Sequence, residues 1–123
     1  MELYIHIPFC IRKCRYCDFV SYPRSSCDQD RYIDSLLQEA EERAASCVLE
    51  SFDTVFIGGG TPSLLTPIQL EKLIRGLQCR LPLSSVFEFT VECNPGTVTE
   101  SWLHAALNNG INRFSVGMQA AQD

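Results

Sequence analysis

Three cysteines stand close together near the start of the chain, Cys10-Ile-Arg-Lys-Cys14-Arg-Tyr-Cys17, with three residues between the first pair and two between the second. Thiolates are natural ligands of iron-sulfur clusters. Three of them hold three irons of a cubane and leave the fourth iron open to an exogenous ligand, which is what activation of a bound molecule requires. A zinc knuckle would want a fourth Cys or His at matched spacing, for which Cys27 is the nearby sequel. A disulfide framework needs an oxidising compartment, and no basic segment followed by an apolar stretch opens the sequence as a secretory signal would. The expected compartment is the cytosol. There, seven cysteines, an odd number, point to metal or redox chemistry for some of them.

The thiols need a scaffold, and the apolar periodicity supplies one. Leu3-Tyr4-Ile5-His6-Ile7 alternates and stops at Pro8, a short strand with the cysteines in the loop after it. From about Asp30 to Leu49, Ile33, Leu36, Leu37, Ala40, Ala44, Cys47 and Val48 recur at helical spacing. Thr54-Val55-Phe56-Ile57 is a second, nearly all-apolar strand, followed by the glycine-rich turn Gly58-Gly59-Gly60-Thr61-Pro62. Thr66-Pro67-Ile68-Gln69 fits a capping box with proline at the first helical position, and Leu70, Leu73, Ile74 and Leu77 form that helix's buried face. Phe87 to Glu92 alternates as a third strand, and Asn94-Pro95-Gly96 turns the chain out of it. A third helix runs from about Thr97 or Thr99 to Asn108 and closes at Asn109-Gly110, and Arg113 to Gly117 begins a fourth strand.

Strand and helix alternate throughout, so the fold class is α/β with parallel strands and helical crossovers, in a barrel or an open doubly wound sheet. Side-chain parity then assigns faces. If Phe87, Phe89 and Val91 pack against helices, Glu88, Thr90 and Glu92 point the other way. The same parity puts Tyr4 and His6 on that second face, together with Ser115, Gly117 and Gln119. Glu92 and Gln119 thereby lie at the C-terminal ends of their strands, where barrel active sites are built. Four parallel strands cannot close a barrel, and the last would be an unprotected edge. Residues 1–123 are therefore expected to form one unit of a longer protein, ending after the fourth strand.

The balance of residues narrows the function. A net charge of -5 argues against nonspecific nucleic-acid binding, which needs basic patches to neutralise phosphates. No stretch approaches the roughly 20 apolar residues of a membrane span. The basic cluster Arg12, Lys13 and Arg15 is either a steering patch for an anionic partner or a solvated loop.

Tyr4-Ile-His-Ile-Pro-Phe-Cys10 through Cys17-Asp18-Phe19, Gly58-Gly-Gly-Thr-Pro62, Val91-Glu-Cys-Asn-Pro95 and Phe114-Ser-Val-Gly-Met-Gln119 together resemble the radical S-adenosylmethionine (SAM) core of the oxygen-independent coproporphyrinogen III oxidase family. The resemblance spans nearly the whole chain and implies the N-terminal half of a partial (β/α) barrel. It implies that Cys10, Cys14 and Cys17 ligate a [4Fe-4S] cluster and that Tyr4 contacts SAM. It further implies that Gly59, Gly60 and Thr61 receive the methionine end of SAM, that Glu92 hydrogen-bonds SAM at its ribose, and that Gln119 adds a polar contact. Reductive cleavage of SAM to a 5'-deoxyadenosyl radical follows from the same likeness, with a reductant such as flavodoxin or ferredoxin as electron donor.

Two branches of the family differ in function. The true oxidase decarboxylates coproporphyrinogen III and has a further cysteine two residues after the third cluster cysteine; here that position is Phe19. The oxidase also carries an N-terminal extension, whereas here Met1 stands nine residues before Cys10. Both features resemble the HemW-type branch, chaperones that bind haem and deliver it to haem proteins. That is the expected function, with the oxidase as the alternative and a structural or electron-transfer cluster module as a reading of another class. Among the remaining residues, His6 is expected to be a satisfied core histidine. Cys47, Cys79 and Cys93 read as packing residues. Cys27 reads as an exposed loop thiol, and Tyr16 and Phe19 as covers for the cluster or the adenine.

Overall fold

The computed structural model describes residues 1–10, 22–23, 26–46 and 51–116, with backbone alone at 10, 22, 23, 26 and 27. The strands are β1 (Glu2–Ile7), β2 (Phe9–Cys10), β3 (Tyr22–Pro23), β4 (Thr54–Gly59), β5 (Glu88–Cys93) and β6 (Arg113–Val116). The helices are α1 (Ser26–Ser46), α2 (Pro67–Arg80) and α3 (Glu100–Asn108), with a single 3-10 turn at Pro62–Leu64. Strands β1, β4, β5 and β6 form one parallel sheet in that order, and β2 pairs with β3 in a small second sheet. The fold is the N-terminal part of a (β/α) barrel.

The core lies on one face of the sheet. Ile5 and Ile7 of β1, Val55 and Ile57 of β4, and Phe89, Val91 and Cys93 of β5 are buried against Ile33 and Leu37 of α1, Leu70, Leu73, Ile74 and Leu77 of α2, and Trp102 and Ala106 of α3. Successive residues of a strand point to opposite faces, so burying one set commits Tyr4, His6, Phe56, Thr90 and Glu92 to the other. Tyr4 is accordingly 54% exposed there, and its ring stacks on Phe56 of the neighbouring strand at 6.0 Å between centroids.

Local signals set the helix ends. Thr66 accepts from the Gln69 backbone N–H at 3.1 Å, and the Gln69 side chain accepts from the Thr66 N–H at 2.9 Å, the reciprocal box its sequence predicts. Thr99 caps α3 through the Trp102 N–H at 3.1 Å. Beyond α3, Gly110 takes φ 102, the left-handed conformation that ends a helix cheaply only for glycine.

Four expectations are corrected. Helix α1 begins at Ser26, so Cys27 belongs to its first turn rather than to a loop. Cys79 is exposed: at about 100° per residue it lies on the side of α2 opposite Leu77. Phe87 precedes β5; its N–H reaches the Asp53 carbonyl at 3.0 Å, but its ring is 70% exposed. His6 is not a core residue, because strand parity turns its half-exposed ring to the open face. Cys93 is buried as expected, and burial pushes its thiol pKa up, keeping it a neutral packing group. Cys47, Arg12, Lys13, Arg15, Tyr16 and Phe19 lie outside the described residues.

Candidate functional site

Register brings distant residues together at the C-terminal ends of the strands. Pairing of β1 with β4 sets His6 opposite Gly58 and Ile7 opposite Gly59, and pairing of β4 with β5 sets Ile57 opposite Val91. Glu92, one residue further on β5, therefore comes level with the glycine turn. Its Oε1 accepts the Gly59 N–H at 2.9 Å, and among the described residues this is the hydrogen bond its carboxylate makes. On its other side Glu92 is paired in register with Ser115 of β6.

The glycines are what allow this approach. A Cβ on Gly58 would stand 2.6 Å from Glu92 Oε1 and 2.7 Å from the Phe56 ring, so the carboxylate would have to give way. Gly59 takes φ 110, and a Cβ there would stand 2.7 Å from His6 Nδ1. Past the strand ends, the Gly60 N–H donates to the Ile7 carbonyl at 2.6 Å and the Thr61 N–H to the Phe9 carbonyl at 2.7 Å. The turn is thus stitched to β2, the segment that carries Cys10. The N–H groups of Gly59, Gly60 and Thr61 are all engaged within the protein, and the Thr61 carbonyl accepts the Leu64 N–H at 2.9 Å, so what the turn offers an incoming ligand is the carbonyl oxygens of Gly59 and Gly60. Such oxygens suit an ammonium group, whereas a ligand carboxylate would need donors from elsewhere.

Tyr4 and His6 complete the open face. The Tyr4 hydroxyl lies 3.2 Å from His6 Nδ1, and Tyr32 of α1 holds the end of β1 by donating to the His6 carbonyl at 2.5 Å. Partial burial, and then the negative charge of Glu92, raise the Tyr4 pKa above its usual value. A phenol whose folded pKa is raised contributes stability below its unfolded pKa, about 10, and loses it as pH climbs through the folded value. Ultraviolet titration of tyrosinate is therefore expected to show one tyrosine ionising late in the parent protein and earlier in Glu92→Gln. An unshifted curve in the variant would remove Glu92 from the surroundings of Tyr4.

Of the residues singled out by sequence, Tyr4, Gly59, Gly60, Thr61 and Glu92 gather at this one mouth. Cys10 lies in β2, described in backbone alone, whereas Cys14, Cys17 and Gln119 lie outside the described residues. Among the described residues no three His, Cys, Asp or Glu side chains converge on a metal site; the thiols of Cys10, Cys14 and Cys17 are not among them. His6 joins the site although sequence reasoning set it aside. The available signal was its parity with Tyr4, outweighed by the general rarity of functional strand histidines.

The Radical SAM superfamily model matches residues 4–123. This chain belongs to the radical SAM superfamily. It is 41% identical over 121 residues to the haem chaperone HemW of Escherichia coli strain K12, covering 98% of this chain and 32% of that protein. It is likewise 41% identical over 121 residues to HemW of Bacillus subtilis strain 168, again covering 98% and 32%. The chain thus spans about a third of the length of these curated relatives. The solved structure of coproporphyrinogen III oxidase (HemN) from Escherichia coli, described as a radical SAM enzyme, superposes with a TM-score of 0.85 at 31% identity, over 96% of this chain and 27% of that one.

The mouth fits the SAM that radical SAM membership implies. Carbonyl oxygens of the glycine turn suit the ligand's ammonium, a carboxylate anchored through one oxygen suits hydroxyl donors, and the Tyr4 ring offers an apolar flank. A [4Fe-4S] cluster fits the donor chemistry of Cys10, Cys14 and Cys17.

Proposed function

We propose that the protein containing this chain is a haem chaperone that binds haem and passes it to haem proteins, with a SAM-binding [4Fe-4S] site at the strand ends. The observation that carries this reading is the similarity, across nearly the whole chain, to proteins named haem chaperones. Phe19, in place of the oxidase's additional cysteine, supports it. In this reading residues 1–123 are one radical SAM core unit working in the cytosol, and Cys10, Cys14 and Cys17 hold the cluster. No described helix is long and apolar enough to cross a membrane.

Bound together, cluster and SAM supply one-electron chemistry that no side chain provides. The chain's own contribution is position. The turn Gly59-Gly60-Thr61 receives the methionine end of SAM, with the Gly59 and Gly60 carbonyls facing its ammonium, Glu92 accepts from its ribose hydroxyls, Tyr4 flanks it, and Gln119 adds a polar contact. The electron arrives from a reductant such as flavodoxin or ferredoxin, toward which Arg12, Lys13 and Arg15 provide positive charge.

The likeness to the coproporphyrinogen III oxidase structure favours a second reading, oxidative decarboxylation of coproporphyrinogen III. One preparation separates the two: the full-length protein, reconstituted anaerobically with iron and sulfide and supplied with SAM and dithionite. Stoichiometric haem binding without porphyrinogen turnover is the expected result. Formation of protoporphyrinogen would overturn it and make Phe19 a tolerated departure within an oxidase.

A further inference from the structure

Two turns meet beside the mouth: Pro62–Leu64, which continues the glycine turn, and Asn94–Thr97, which leaves β5 just after Glu92. Ser63, only 3% exposed, sits between them. Its Oγ accepts the Asn94 N–H at 3.1 Å and lies 2.5 Å from Thr97 Oγ1, which itself donates to the Asn94 carbonyl at 3.0 Å. Each hydroxyl has one proton to give, so these contacts permit one order. Thr97 spends its proton on the Asn94 carbonyl and must accept from Ser63, while Ser63 accepts from Asn94. The bonds run in a closed circle: Asn94 N–H to Ser63 Oγ–H, to Thr97 Oγ1–H, to Asn94 C=O. Bonds pointing the same way round a ring polarise one another and strengthen the set. The Asn94 side chain adds an anchor by accepting the Gly96 N–H at 2.8 Å.

We propose that Ser63 and Thr97 are positioning residues that hold the Glu92 carboxylate at its working distance from the glycine turn. This rests on the reading of Glu92 as a SAM contact. The hydroxyl circle joins the same two segments that the bond from Gly59 N–H to Glu92 Oε1 joins, a few residues further along each. With the circle closed, the exit of β5 is held against the turn, and Glu92 keeps Oε1 on the Gly59 N–H. With Thr97 taken out of the circle, the Asn94 N–H to Ser63 Oγ bond is the hydroxyl link left between the two turns, and the exit of β5 that carries Glu92 is held less firmly against the glycine turn. Neither hydroxyl needs to touch SAM for this effect.

Thr97→Val, which replaces the hydroxyl by a methyl group of the same size, tests the proposal in the full-length protein carrying its cluster. SAM affinity is measured by anaerobic calorimetry at a temperature where circular dichroism shows the variant fully folded and iron content equals the parent's. The expected result is a dissociation constant raised about tenfold, the scale of one lost hydrogen bond, with parent affinity restored in Thr97→Ser. Glu92→Gln is measured alongside. Parent-like affinity in Thr97→Val together with weakened binding in Glu92→Gln overturns the positioning role and leaves the SAM reading standing. Parent-like affinity in both overturns the two together. If Thr97→Val fails to fold, Ser63→Ala, which opens the same circle, is judged by the same criteria.

Discussion

Cys17→Ser in the full-length protein, reconstituted anaerobically with iron and sulfide, is expected to lower bound iron at least tenfold and to abolish the cluster's broad visible absorbance. A cubane held by three thiolates has no spare protein ligand, and a serine hydroxyl ionises too reluctantly at neutral pH to replace a thiolate. SAM binding should fall with it, because the open iron is part of the ligand's site. Cys79→Ser is the matched control: that thiol is exposed on α2, away from the strand ends, and its loss should leave iron content unchanged. Zinc in the purified protein, lost on Cys27→Ser, would replace the cluster assignment with the zinc-knuckle reading.

Gly59→Ala is expected to destabilise the protein by about 2–4 kcal/mol in denaturant unfolding and to weaken SAM binding at least tenfold. Two costs combine. A left-handed backbone penalises any side chain by roughly 1–2 kcal/mol, and the new Cβ would lie 2.7 Å from the His6 ring and 2.9 Å from the Ile7 carbonyl. Relief requires β4 to move away from β1, which pulls the Gly59 N–H off Glu92. Gly110→Ala separates the terms. Its φ of 102 carries the same strain, but the nearest atom to its Cβ is 4.0 Å away, so a loss of about 1 kcal/mol is expected, with SAM binding unchanged. Equal losses at the two positions would show that strain alone matters and that the close approach at Gly59 is incidental.

Much of this architecture is legible in local pattern because local physics produces it. Strict alternation from Phe89 to Glu92 requires two faces and so places Glu92 on the face away from the helices. Thr66 and Gln69 cap α2 through residues three apart, with the Gln69 amide also donating to Asp30 of α1 at 2.9 Å, and the spacing of Leu70, Leu73, Ile74 and Leu77 defines the side it buries. Local pattern also misleads where its period runs past an element's end. Phe87 continues the alternation but stands outside β5 with its ring in solvent, and Cys79 follows an apolar stripe that has already turned away.

Local pattern is enough to give the α/β alternation, the faces of the strands, the caps of α2 and α3 and the three-thiol motif. Each rests on residues within a few positions of one another, whose geometry follows from the period of the backbone. Tertiary structure alone decided that Glu92 meets Gly59, that His6 crowds the glycine turn, and that Ser63, Asn94 and Thr97 close a circle of hydrogen bonds. Apart from Asn94 and Thr97, which share one turn, those partners lie more than thirty residues apart. What joins them is the register of parallel strands, a property of neighbouring chain segments that no single segment's pattern contains.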